Sequence, residues 1–189
     1  MSTTYCYDLE FLEDGKTIEL ISIGIVCADG REYYAVNADM PVDRIKNHHW
    51  LMENVWPSLP LRGERSGLVS VGQGQHEIKL TDPGVLDTSS VLVKPRWVIA
   101  NEVREFLLAE PEPELWADFG AYDHVALCQL WGPMIRKPKG LPMWTHDLEQ
   151  AIEAVPGFVK PEQAEGAHNA LEDARHNFRV LTALREAQR

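Results

Sequence analysis

Cysteine is scarce in this chain of 189 residues: Cys6, Cys27 and Cys128 are odd in number, far apart and without a C-x-x-C pair. That pattern argues against a disulfide framework and a structural zinc site, and it fits a reducing compartment. Long apolar runs are missing too. No stretch approaches the roughly 20 consecutive apolar residues of a membrane span, and Met1 to Asp8 has neither the basic nor the apolar region of a leader. The chain is expected to be soluble and unprocessed. Positive charge is also in short supply, with 18 Lys and Arg against 29 Asp and Glu, a net charge of −11. Proteins that coat long nucleic acids normally carry a basic face, so that class is disfavoured. An enzyme that grips only a strand end is not, because bound divalent cations reverse the sign of the local field. Finally, no Gly-rich phosphate cradle is present, which counts against a phosphatase built on one.

What remains is enough for one buried core, since 44% of residues are hydrophobic, and one globular domain spanning 1–189 is expected. Tyr5 to Phe11, Thr17 to Cys27 and Glu32 to Val36 read as strands from alternation and β-branching, joined at Asp14-Gly15 and Asp29-Gly30. Pro41 to Val55 reads as a helix stopped by Pro57 and Pro60. Arg62 to Val93 is rich in Gly, Ser and Asp, and is expected to be an irregular insertion with room for a short hairpin. Arg96 to Glu110 has helical spacing, Glu114 to Phe119 is a short strand, and Ala121 to Trp131 is a helix closed by Gly132-Pro133. Met143 to Thr145 is a further candidate strand, followed by helices from Asp147 to Ala154 and from His168 to Arg189. This order implies an α/β fold whose mixed central sheet starts with three antiparallel strands, continues with parallel ones and is flanked by helices. A ribonuclease H-like architecture fits it.

Asp8 and Glu10 are two apart in the first strand, so both point to one face of the sheet. Paired carboxylates near a core repel each other unless a cation joins them, although a solvated strand face would also carry two acids. Asp123 follows a central strand and a glycine, at the carboxyl end of the sheet where α/β proteins build their sites; viewed alone it is an ordinary acid at a helix N-terminus. Asp118 is the reserve candidate for the same role. His168 and Asp173 open the last helix, where a capping histidine and a surface acid would be the plain reading.

The conjunction changes this balance. D-x-E on the first strand, an aspartate after a later strand, and H-x-x-x-x-D at the head of the final helix resemble the three motifs of the DEDDh 3′→5′ exonucleases, in order and over nearly the whole chain. Two longer stretches are more specific: Tyr7-Asp8-Leu9-Glu10-Phe11 through Thr17 to Gly24, and Trp116 through Gly120-Ala121-Tyr122-Asp123 to Pro133. These look like the ribonuclease AS family, exoribonucleases similar to ribonuclease T that prefer polyadenylate. Arg62 to Val93 and Lys137 to Gly166 depart from that pattern.

The resemblance implies metal ligands at Asp8, Glu10, Asp123 and Asp173, a general base at His168, and a bacterial or phage-encoded cytoplasmic enzyme. It further implies a homodimer that trims the 3′ end of single-stranded RNA to adenosine 5′-monophosphate. Hard oxygen donors favour two Mg²⁺ ions per site, with Mn²⁺ able to substitute. Phe11 and Leu12, just after the D-x-E strand, are candidates to stack or wedge against terminal bases, and as readily core residues. Glu19 is a candidate acceptor for an adenine amino group. Arg136, Lys137 and Lys139 could guide the strand or form a solvated loop, and Trp97, Trp116 and Trp131 could border the site. Other RNA ends, oligoribonucleotides or single-stranded DNA stay open as substrates. So does a non-catalytic RNA-binding module, which would have no physical need of clustered carboxylates.

Overall fold

Alternation in the first strand sorts its side chains onto two faces, and the rest of the fold follows from what covers each. The computed structural model describes residues 2–63, 65–70, 77–163 and 166–189, with only the backbone path given for 65–70 and 77–82. The strands are β1 (Thr3–Glu13), β2 (Ile18–Cys27), β3 (Glu32–Asn37), β4 (Leu61–Arg62), β5 (Arg65–Ser70), β6 (Glu77–Asp82), β7 (Val85–Leu86), β8 (Val93–Lys94), β9 (Pro113–Ala117) and β10 (His146–Asp147). The helices are α1 (Val42–Lys46), α2 (His49–Asn54), α3 (Arg96–Leu107), α4 (Ala121–Gln129), α5 (Leu148–Glu153) and α6 (Ala170–Ala187).

The main sheet has the order β10-β9-β1-β2-β3-β8. β2 runs antiparallel to β1 and β3, while β9 is parallel to β1 and β10, and β8 to β3. This is the expected mixed sheet, antiparallel through its first three strands and extended in parallel by crossovers. Across 62–93, β4 pairs with β7 and β5 with β6, while residues 64 and 71–76 of the expected insertion lie outside the described residues. Among the described residues no helix is long and apolar enough to cross a membrane.

One face of β1 presents Tyr5, Tyr7 and Leu9, buried with Ile99, Ala100, Val103 and Leu107 of α3 and Ala126 and Leu127 of α4. Each large side chain so buried contributes about 1.5–3 kcal/mol. The other face carries two separate apolar clusters. Cys6 packs with Leu148, Val180 and Leu181, whereas Leu12 packs with Ile21, Val36, Ile45, Leu51 and Trp56. Asp8 and Glu10 fall between Cys6 and Leu12 on this face, in the gap between the two clusters.

Three local readings shift. The helix expected over Pro41–Val55 is two helices, because His48 takes extended backbone (φ −104°, ψ 99°) and its side chain caps α2 by accepting from the Leu51 N–H. The strand expected at Met143–Thr145 forms at His146–Asp147 instead, where pairing to β9 begins at Trp116; Thr145 Oγ1 donates to the Leu115 carbonyl just before it. The last helix starts at Ala170, with Asn169 accepting from the Leu171 and Glu172 N–H groups as its cap. His168 therefore lies outside the helix, in a left-handed turn at φ 65°.

Candidate active site

Asp8 and Glu10 point to one face as the two-residue period requires, and α6 brings Asp173 to them. Oxygens from Asp8, Glu10 and Asp173 all lie within 4.8 Å of one another. The close approach of α6 depends on Gly24, which pairs with Asp8 across the β1–β2 ladder. A Cβ at Gly24 would overlap the Ala170 carbonyl and the Leu171 nitrogen. Asn177, on the same helix, ties α6 to β1 by donating to the Tyr7 carbonyl at 3.2 Å.

Asp123 enters from the first turn of α4. β9 pairs with β1 only from Thr3 to Cys6, so the ladder leaves the Leu9 N–H free, and Asp123 Oδ1 accepts it at 2.8 Å. Asp173 is held from two sides: Gln163 Nε2 donates to Oδ1 at 2.6 Å and the His168 N–H donates to Oδ2 at 2.9 Å. Each carboxylate oxygen keeps a second lone pair for another partner.

The electrostatics of this group are unfavourable by themselves. Burial, then the neighbouring Asp123, Glu10 and Asp173 charges, push the Asp8 carboxyl well above its usual range. Burial, followed by Asp173 and Asp123, raises Glu10 to about 8. Asp123 and Asp173 are raised chiefly by burial, against the lowering effect of their hydrogen-bond donors. Among the described residues no lysine or arginine forms an ion pair with these four carboxylates; Lys160 Nζ lies 2.6 Å from both Asp118 Oδ2 and Glu149 Oε1 instead. A set of converging hard oxygen donors with no lysine or arginine among them fits divalent cations such as Mg²⁺ or Mn²⁺.

Of the two aspartate candidates, Asp118 is paired with Lys160 through Oδ2, while Asp123 accepts from the Leu9 N–H; the charges of both raise the Asp8 carboxyl. His168 reaches the cleft by its backbone, with its N–H on Asp173 and its carbonyl accepting from Ser58 Oγ at 2.9 Å. Its ring meets Trp50 edgewise, with centroids 4.9 Å apart and planes at 79°.

The three expected substrate residues part company. The Phe11 ring stacks on Tyr122, beside Asp123, at 6.3 Å and 16°. Leu12 is buried in the cluster under α1 and α2, as the core reading expects. Glu19 is part-exposed, 3.8 Å from Arg44. Arg136 is exposed in a short turn, and Lys137 donates to the Leu141 carbonyl. Trp97 is exposed, Trp116 stacks on His146, and Trp131 donates to the Ala100 carbonyl. The tryptophan beside the candidate base is Trp50, which sequence reasoning missed along with Gly24, Gln163 and Lys160. For these four no local signal was present, because each depends on contacts distant in sequence.

No family model matches the chain. Two curated proteins of Mycobacterium tuberculosis, from strains CDC 1551 and H37Rv and each named a 3′-5′ exoribonuclease, are 40% identical to it over 190 residues, covering 98% of this chain and 96% of theirs. Among solved structures, Exonuclease I from Methylocaldum szegediense shares the fold at a TM-score of 0.60 and 12% identity. That alignment covers 100% of this chain, which spans 41% of the larger protein. The chain belongs to the family of 3′-5′ exoribonucleases represented by the mycobacterial proteins, nucleolytic hydrolases of the DEDDh type.

Proposed function

We propose that this enzyme trims single-stranded RNA from its 3′ end, with a preference for polyadenylate, and releases adenosine 5′-monophosphate. The observation that carries the reading is that oxygens of Asp8, Glu10 and Asp173 lie within 4.8 Å of one another, with Asp123 on the Leu9 N–H between Asp8 and Glu10 and the His168 N–H on Asp173. Hydrogen bonds account for part of Asp123 and Asp173, but the mutual repulsion of the buried group makes it costly without a further role.

Asp8, Glu10, Asp123 and Asp173 would hold two Mg²⁺ ions, and Asp8 is the carboxyl that feels the charges of the other three. When bound, such ions neutralise the phosphate charge and make water easier to deprotonate. The chain's own part is positioning and proton transfer. Leu9 N–H fixes Asp123, Gln163 and the His168 N–H fix Asp173, and the His168 imidazole takes the proton of the attacking water. The water oxygen attacks the last phosphodiester phosphorus, the bond to the 3′-oxygen of the penultimate nucleotide breaks, that oxygen takes up a proton from solvent, and the terminal nucleotide leaves with its 5′-phosphate.

Phe11 and Tyr122 together offer an aromatic surface for the terminal bases, and Glu19 accepts from the adenine amino group. Met134, Ile135, Met143 and Trp144 are exposed apolar side chains, the face we assign to a homodimer. Three free cysteines, two of them buried, suit the reducing bacterial cytoplasm.

Initial rates on oligo(A), oligo(U), oligo(C) and oligo(dA) with Mg²⁺, with products separated by chromatography, test this reading. It predicts the fastest release from oligo(A), with adenosine 5′-monophosphate as product. Equal rates on all three RNAs would remove the adenine preference. RNA bound tightly but not cut would replace the enzyme with a binding module.

A further inference from the structure

We infer that Trp50 is a positioning residue for His168, holding the imidazole ring over the carboxylate cleft. The inference rests on the reading of His168 as general base and assigns the device that orients it.

The backbone of His168 is over-determined. A non-glycine residue at φ 65° pays a steric penalty, and here it is fixed by its N–H on Asp173 and its carbonyl on Ser58 Oγ. These contacts set where the side chain leaves the chain; rotation of the ring is left open. Histidine bases are commonly oriented by a hydrogen bond from the second ring nitrogen to a carboxylate or carbonyl. Among the described residues none hydrogen-bonds to a ring nitrogen of His168, and its one aromatic contact is the edgewise meeting with Trp50.

Trp50 is placed for this and for little else in the fold. Its neighbours Leu51, Val55 and Trp56 are buried, which anchors α2 and the turn after it, while Trp50 itself is 48% exposed. The same short segment also supplies Ser58, whose Oγ donates to the His168 carbonyl and whose own carbonyl accepts from Asn169 Nδ2 at 3.4 Å. One rigid stretch therefore grips the histidine at backbone and ring together. A flat, stiff indole that meets an imidazole edgewise restricts its rotation.

The test is a double-mutant cycle in single-turnover kinetics on an oligo(A) RNA with saturating Mg²⁺. Trp50→Ala should lower the cleavage rate constant by about tenfold to a hundredfold, the scale of a misplaced catalytic group, with little change in the half-saturating RNA concentration. Trp50→Phe should recover most of the rate. In a His168→Ala background, Trp50→Ala should cost nothing further. The NMR signals of the His168 ring should shift in Trp50→Ala while the unfolding midpoint stays close to that of the wild type. A raised half-saturating concentration with an unchanged rate constant, or the same loss in both backgrounds, would make Trp50 a substrate contact and overturn the inference. If His168→Ala alone leaves the rate intact, the general-base reading falls first, and this inference with it.

Discussion

Gly24 and Ala170 meet backbone to backbone, with no side chain between strand β2 and the head of α6. That contact sets the height of the helix above the sheet and so the distance from Asp173 to Asp8 and Glu10. Because the atom a Cβ would strike is a carbonyl within a capped helix, it cannot swing aside. Gly24→Ala is expected to cost about 1–3 kcal/mol of stability or more, as overpacking does, and to reduce turnover beyond that loss by displacing Asp173. Thermal unfolding and the cleavage rate below the unfolding transition check both parts.

Lys160 assigns different work to the two aspartates near β9. Asp123→Asn is expected to lower turnover at least 100-fold by the usual scale of catalytic losses, because it removes a carboxylate from the cleft. Asp118→Asn leaves the cleft carboxylates intact and is expected to stay within about tenfold of the wild type, its cost appearing as stability lost from the Lys160 and Glu149 cluster. Rates of the two variants at equal folded fraction distinguish them, and the reverse order would make Asp118 the cleft ligand.

The crowded carboxylates predict the pH dependence of the metal-free protein. Glu10 is raised to about 8 in the fold, and Asp8, Asp123 and Asp173 move the same way. An unfolded carboxyl ionises near ~4, so between there and about 8 the folded state binds more protons than the unfolded one. Stability should therefore fall as pH rises through that window. In EDTA the unfolding temperature should drop from pH 5 to pH 8. Mg²⁺ should restore it at pH 8 and do little at pH 5, because it binds the ionised carboxylates. A flat profile in EDTA would contradict the crowding.

Glu19 carries the proposed adenine preference. Its removal in Glu19→Ala should compress the ratio of oligo(A) to oligo(U) rates by on the order of 1–3 kcal/mol, the discrimination of a base-edge contact, with the oligo(U) rate little changed. Parallel rate measurements on the two RNAs decide it. An equal loss on both would point to its contact with Arg44 instead.

Period-two alternation made the first strand and the paired placement of Asp8 and Glu10 legible, because direction along a strand needs no tertiary information. Asp123 and Asp173 could be nominated but not placed: one depends on β9 ending early against β1, the other on a glycine in a strand more than a hundred residues away. Leu12 was ambiguous because an apolar residue at the end of such a strand serves a core or a substrate equally well, and the cluster it joins beneath α1 and α2 is not visible in the sequence. The break between α1 and α2, the late start of β10 and the left-handed turn at His168 are set by long-range packing and by a φ value that histidine adopts rarely. Trp50 and Lys160 gave no local pattern at all.

The most direct test follows 5′-labelled oligo(A) over time with Mg²⁺ or EDTA, for the wild type and Asp8→Ala. The account predicts a ladder that shortens from the 3′ end only with Mg²⁺ and only in the wild type. Cleavage by Asp8→Ala at the wild-type rate, or an undiminished ladder in EDTA, would contradict it.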